Sequence, residues 1–150
     1  MIAHEFPRDK SIYDNYVCPK CFYTMDKCEC KIFPHYSITW IDKGIQEIIR
    51  ILNSKGYKTQ YSCESHTPQD NLYIAFYYGY DFGKTLPTPE GFKVKSSGRT
   101  IEHLYGKDSR ARKKMTTEEF EAEKKECLDN LLEWAKALPE QADKNKAFSW

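Results

Sequence analysis

The sequence predicts an α+β domain, and three features carry that reading. Four cysteines crowd together near the N terminus. Short runs that alternate, or are apolar on both faces, mark strands between residues 36 and 105. Apolar residues recurring at i, i+3, i+4 and i+7 mark one short helix and one long one. The expected arrangement is a four-cysteine knuckle at 18–35, a mostly antiparallel sheet of about five strands over 36–105 with a helix at 43–55, and a C-terminal helix at 116–138. At 150 residues the chain is read as a single domain, 1–150.

Taken in order, residues 1–17 read as an irregular lead-in. HYSITWI, ending at Ile41, reads as a first strand. Asp42 is the expected N-cap of the helix whose buried stripe is Ile45, Ile48, Ile49 and Leu52. Gly56 fits a left-handed stop. Residues 57–63 alternate, with Tyr57, Thr59, Tyr61 and Cys63 on one face. LYIAFYY, residues 72–78, is apolar on both faces and reads as a central strand. Residues 79–91 form a long loop. FKVK and RTIEHLY, joined by Ser96, Ser97 and Gly98, read as a hairpin. Thr116 and Glu119 form a capping box for the last helix, whose stripe is Phe120, Cys127, Leu128, Leu131, Leu132, Ala135 and Leu138 before Pro139 stops it.

Composition narrows the function. A net charge of +1 gives no overall field toward nucleic acid or membrane. The start, MIAHEFPRDK, lacks a signal-peptide pattern. No apolar run approaches the ~20 residues of a membrane span. The expected compartment is therefore inside a cell, where thiols stay reduced and six cysteines point to metal. Eleven tyrosines suit either a wet sheet face or a binding surface.

The pattern Cys18-Pro-Lys-Cys21, then Cys28-Glu-Cys30, offers four soft ligands from two tight turns, as a tetrahedral structural zinc ion requires. The alternatives are two disulfides, which the lack of a secretory signal disfavours, or a redox CxxC, which lacks a thioredoxin-like βαβ context. With all four positions filled by protein, the expected role is one structural Zn2+ per chain.

Other candidates have plainer explanations beside them. Cys63-Glu64-Ser65-His66 is half of a metal site, a Cys–His nucleophile pair with Glu64, or simply a buried thiol at a strand end. His35 and His103 read as surface or sheet-packing residues, not ligands. Residues 92–115 hold eight basic residues against Glu102 and Asp108, a local net of +6 that suits phosphate or a solvated hairpin. Residues 116–133 carry a local net of −5. There Glu118, Glu119, Glu121, Glu123, Glu126 and Asp129 are candidate partner contacts, or a solvated face partly explained by the helix dipole. No catalytic residue stands out, and the chain is not expected to be an enzyme.

DKGIQEIIRILNSKGYKTQYSCESH, followed by YIAFYY and LPTPEGFKV, resembles a family of small phage and prophage proteins with a GYxTxxSCxGH pattern after a helix. The likeness covers roughly residues 18–105. This chain departs at Ser65, where that pattern has glycine. The knuckle, length and composition are similar to a zinc-containing type II-A anti-CRISPR protein. A weaker likeness is to tRNA wyosine-base methyltransferases, whose SSCSGR motif has arginine where this chain has His66.

The anti-CRISPR resemblance implies a phage protein in the cytoplasm of a bacterial host. It would bind Cas9 by protein–protein contact and prevent target-DNA binding and cleavage. A monomer is the expected state. A second reading is a counter-defence protein that binds nucleic acid or a nucleotide signal through the 92–115 segment. A third is an enzyme using Cys63, Glu64 and His66.

Overall fold

The computed structural model describes residues 15–24, 27–28 and 39–141. The elements run β1 (Tyr16–Val17), β2 (Thr39–Trp40), a 3-10 turn (Lys43–Ile45) leading into α1 (Gln46–Ser54), β3 (Thr59–Cys63), β4 (Leu72–Phe76), β5 (Lys93–Lys95), β6 (Thr100–His103), α2 (Ser109–Lys113) and α3 (Thr117–Ala137). The class is α+β, with an antiparallel four-stranded sheet of order β3-β4-β6-β5 and a long C-terminal helix.

The expected fifth strand belongs elsewhere. Its described end, Thr39–Trp40, pairs antiparallel with Tyr16–Val17 in a separate ribbon, and residues 35–38 of that run lie outside the described residues. Val17 explains the placement. It is fully buried, pairs with Thr39 on one side and bridges to Thr24 on the other, so the ribbon closes over the cysteine loop. The end of the supposed lead-in is thus a strand. Asn15 secures it, accepting from the Ile41 amide at 2.8 Å and donating back to the Ile41 carbonyl at 3.2 Å.

The α1 stripe is buried as its spacing dictates: Ile45, Ile48, Ile49 and Leu52 are all in the core. Asp42 does not cap this helix with its side chain. Its carboxylate accepts instead from the Glu64 amide at 3.0 Å. Asn53 then ties α1 to β3. Its amide donates to the Ile49 carbonyl and to Thr59 Oγ1, and its oxygen accepts from the Thr59 amide at 3.2 Å. Gly56 takes the expected left-handed turn, with φ 94°.

β3 does not keep simple alternation. A bulge between Thr59 and Tyr61 resets the register, so Tyr57 is fully buried while Tyr61 is 63% exposed. β4 is central, as expected, and its Leu72, Ile74 and Phe76 point into the core. Ile74 faces Ile101 across the ladder. The hairpin of β5 and β6 forms as read, turning through Ser96–Gly98.

The capping box of α3 is present on both sides, Thr116 with Glu119. Trp134, outside the expected stripe, is buried and donates to the Pro87 carbonyl at 2.7 Å. Its ring meets Phe82 at a tilt, 5.5 Å between centroids, in an aromatic cluster with Phe76, Tyr57 and Tyr80. The 92–115 segment also holds a helix that patterning did not indicate, α2, capped by Asp108 accepting from the Ala111 amide at 2.8 Å. No helix among the described residues is long and apolar enough to cross a membrane.

Gly98 is the tightest backbone position of the hairpin. Its φ is 85°, and a Cβ there would overlap the Tyr80 carbonyl oxygen. Gly98→Ala is expected to lower stability by on the order of 2 kcal/mol, from left-handed strain plus the clash. Thermal unfolding should show Tm falling by roughly 5 °C.

Candidate metal centre and exposed aromatic face

The cysteine loop is organised by its own backbone. The Cys18 amide donates to the Tyr23 carbonyl at 2.9 Å, and the Phe22 amide donates back to the Cys18 carbonyl at 2.9 Å. Phe22 completes this reversal with φ 61° and packs its side chain against the core. The Lys20 amide points at Cys18 Sγ, 3.4 Å away. A second turn has the amides of Lys27 and Cys28 both donating to the Thr24 carbonyl at 2.9 Å. These turns bring the sulfurs of Cys18, Cys21 and Cys28 within 4.8 Å of one another, so the three can hold a metal ion. Cys30, the fourth expected ligand, lies outside the described residues.

The local electrostatics set the thiols apart. Burial pushes the Cys18 thiol up, but the amides of Cys21 and Lys20 and the neighbouring thiols outweigh it and hold the group below its ordinary value. Cys21 is raised, chiefly by burial. None of the three is in a disulfide.

A second cluster forms where β3 ends. Asp42, Cys63 and His66 each offer one ligand atom, again within 4.8 Å of one another. His66 Nε2 lies 3.4 Å from Asp42 Oδ1. The structure therefore joins Cys63 and His66, as their spacing suggested, but adds Asp42, which its position before a helix had disguised as a cap. Glu64 turns away to Lys124, 3.6 Å distant. Burial raises the Cys63 thiol, and Asp42, Asp70 and Glu64 add to the shift, which is opposite to what an activated nucleophile needs.

The six candidate acids of α3 divide. Glu119 closes the capping box. Glu123 accepts from the Gly106 amide and meets His103 Nε2 at 2.8 Å, while His103 Nδ1 lies 3.0 Å from the Gly91 carbonyl. His103 is thus a fixed link between β6 and α3, with a partner that the sequence did not reveal; His35 lies outside the described residues. Glu118, Glu121 and Glu126 are exposed, and Asp129 is exposed in a surface pair with Lys125 at 2.9 Å. The basic segment is also partly occupied. Lys95 pairs with Glu102, and Arg112 Nε donates to the Tyr105 carbonyl at 3.0 Å.

A feature that sequence reasoning missed lies between the cysteine loop and the edge of the sheet. A cavity of about 400 Å³ is lined by Pro19, Phe22, Trp40 and Ile41 on one side and by Lys58, Thr59, Gln60, Tyr61, Ser62, Tyr73 and Tyr77 on the other. Trp40 is 58% exposed and meets Tyr16 edge-to-face at 4.9 Å. Lys58 Nζ lies 5.1 Å from the Tyr77 ring centre. The tyrosine count was the available signal, but only the fold collects these rings.

Comparison with protein-family models, with curated proteins and with solved structures gave no match for this chain.

The three-thiol cluster predicts that elemental analysis will find bound divalent metal in the purified protein. Cys21→Ser should lose that metal and several kcal/mol of stability, because metal binding there is coupled to ordering the loop. Two disulfides with no metal would overturn this assignment.

Proposed function

We propose that the protein is a metal-stiffened binding module that acts by occupying the surface of a partner protein. The observation that carries this reading is the exposed aromatic face: Trp40, Tyr61 and Tyr77 are left in solvent around one groove, with Tyr16 set against Trp40. Exposed large aromatics gathered around a concavity are typical of interface anchors. The metal in the knuckle is read as one structural Zn2+, with Cys30 completing a four-thiolate set. Its role is to hold Trp40 and its neighbours in place. The ribbon that carries Trp40 is only two residues long on each side and closes directly over Cys18.

The partner is read from the resemblance as type II-A Cas9, bound so that target DNA can neither dock nor be cut, inside the bacterial host. Cas9 presents wide basic channels for its guide–target heteroduplex. The exposed acids Glu118, Glu121, Glu126 and Asp129 supply a complementary rim on α3. A chain with net charge +1 does not copy the charge of a duplex, so occlusion by a shaped surface fits better than mimicry. On this reading the protein is a stoichiometric inhibitor, not an enzyme.

One observation favours a second reading. Lys58 beside Tyr77, with Tyr61 and Tyr73 lining the same groove, resembles a stacking platform for a base with a cation for phosphate. A nucleotide or single-stranded nucleic acid would then be the ligand, held with steep salt dependence.

A binding assay with purified Cas9 and guide RNA separates these readings. Inhibition should saturate near one chain per Cas9 and should abolish target-DNA loading along with cleavage. Trp40→Ala and Tyr61→Ala should each weaken binding about tenfold with little change in Tm, since both side chains are exposed. Reversing Glu121, Glu126 and Asp129 to lysine should slow association and leave stability nearly unchanged. Turnover at sub-stoichiometric amounts, or salt-sensitive nucleotide binding without Cas9 affinity, would reject the leading reading.

A further inference from the structure

We infer that Asp42, Cys63 and His66 form a second transition-metal site, separate from the cysteine knuckle, which binds a divalent ion of the zinc class with one coordination position left open to solvent. The inference does not rest on the partner reading above.

The donor set is the first argument. A thiol, an imidazole and a carboxylate are the three ligand types that zinc accepts, and three protein ligands with an open fourth position distinguish reactive from purely structural zinc sites. The geometry is the second. Ligand atoms about 2.0–2.1 Å from a tetrahedral ion sit about 3.3 Å apart. His66 Nε2 and Asp42 Oδ1 are already 3.4 Å apart, and Cys63 Sγ is within 4.8 Å of both. A small side-chain adjustment closes the triangle on an ion.

The third argument is the way the backbone holds the ligands. Asp42 is fixed through its other oxygen, Oδ2, by the Glu64 amide at 3.0 Å, which leaves Oδ1 turned toward His66. Such outer hydrogen bonds to a ligating carboxylate orient metal sites generally. Between Cys63 and His66 lies Ser65, fully buried and held at φ 73°, a left-handed conformation that costs a non-glycine residue on the order of 1 kcal/mol or more. The strain is kept in place from several directions. The Ser65 hydroxyl lies 2.8 Å from the Thr67 carbonyl oxygen and 3.1 Å from that of Asp70, and the Ser65 carbonyl accepts from Lys124 Nζ at 2.8 Å. This kink turns the chain so that residues 63 and 66 face the same point. An ordinary strand end would send them apart.

The open side is given by His66, whose side chain is 61% exposed, beside a half-buried thiol and a carboxylate that is 12% exposed. The ion would thus sit at the rim of the molecule, at the end of β3, reachable by water or by a small ligand.

Cobalt is the probe. Co2+ is titrated into full-length protein whose knuckle already holds zinc. One further equivalent should bind, with a thiolate-to-cobalt charge-transfer band and visible bands of tetrahedral intensity. Cys63→Ser should lose the charge-transfer band. His66→Ala, which alters an exposed side chain and should fold normally, should weaken the second equivalent at least tenfold while keeping the knuckle metal and the Tm of the metal-free second site. Absence of a second equivalent in the unaltered protein overturns the assignment. So does a second equivalent that binds His66→Ala and Cys63→Ser as tightly as the parent.

Discussion

The joint between α1 and β3 is the constraint on which the rest of the molecule depends. An α-helix ends with carbonyls that have no partner in the helix. At the end of α3 they meet a single ammonium. Lys55 Nζ donates to the carbonyls of Ala135, Lys136 and Leu138, at 2.9 Å for Ala135 and 2.7 Å for Leu138. Two residues on, the Tyr57 hydroxyl donates to the Pro139 carbonyl at 2.6 Å, and the Gln141 amide returns a bond to the Lys55 carbonyl. Gly56 makes this possible by turning left-handed between them. The same joint starts the sheet. Tyr80 Oη is placed between the Gly56 carbonyl and the Lys58 amide, so the long loop, α1, β3 and α3 all meet there. Moving that joint would shift both the aromatic groove and the Cys63 end of β3.

What the sequence made legible was whatever is decided by near neighbours. The α1 stripe, the capping box of α3 and the β5–β6 hairpin each depend on residues a few positions apart, and each formed as read. Long-range choices were not legible. Whether the strand ending at Ile41 joins the main sheet or pairs with Val17 depends on which edge the folded chain offers. Asp42 carried every local mark of an N-cap, yet the amide of Glu64, far along the chain, claims its carboxylate. The bulge at β3 placed Tyr57 and Tyr61 in opposite environments although the alternation of the sequence puts them on one face. Trp134 was overlooked because its contacts, Pro87 and Phe82, come from a loop that has no periodicity to read.

The sites divide in the same way. Three thiols were found from spacing alone, because CxxC turns are local objects. Cys63 and His66 were visible as a pair, while their third member was not. Charge was the weakest guide. Of the six candidate acids on α3, two are tied down by Thr116 and by His103, and the adjoining basic segment includes Lys95 and Arg112, which serve the sheet and the Tyr105 carbonyl. Counting charges treats these as equals, whereas the structure separates those that hold the fold from those that face water. Ser65 is instructive in another way. At φ 73° it adopts the very conformation for which glycine is suited, although the residue is a serine.

The irregular edge of β3 has a consequence for how binding could change over time. A straight, exposed strand invites another strand to add to it through backbone bonds, which reads little of the side-chain sequence. The register shift between Thr59 and Tyr61 disrupts that ladder beside the groove, so the groove offers side chains there: rings, Lys58 and the polar Thr59, Gln60 and Ser62. Trp40, Tyr61 and Tyr77 stand in solvent and contribute little to the core. They can be exchanged one at a time while Lys55, Tyr57 and the buried stripe of α1 keep the scaffold. The exposed rings and the residues that hold the fold are different side chains, so the groove can change in sequence while the scaffold stays intact.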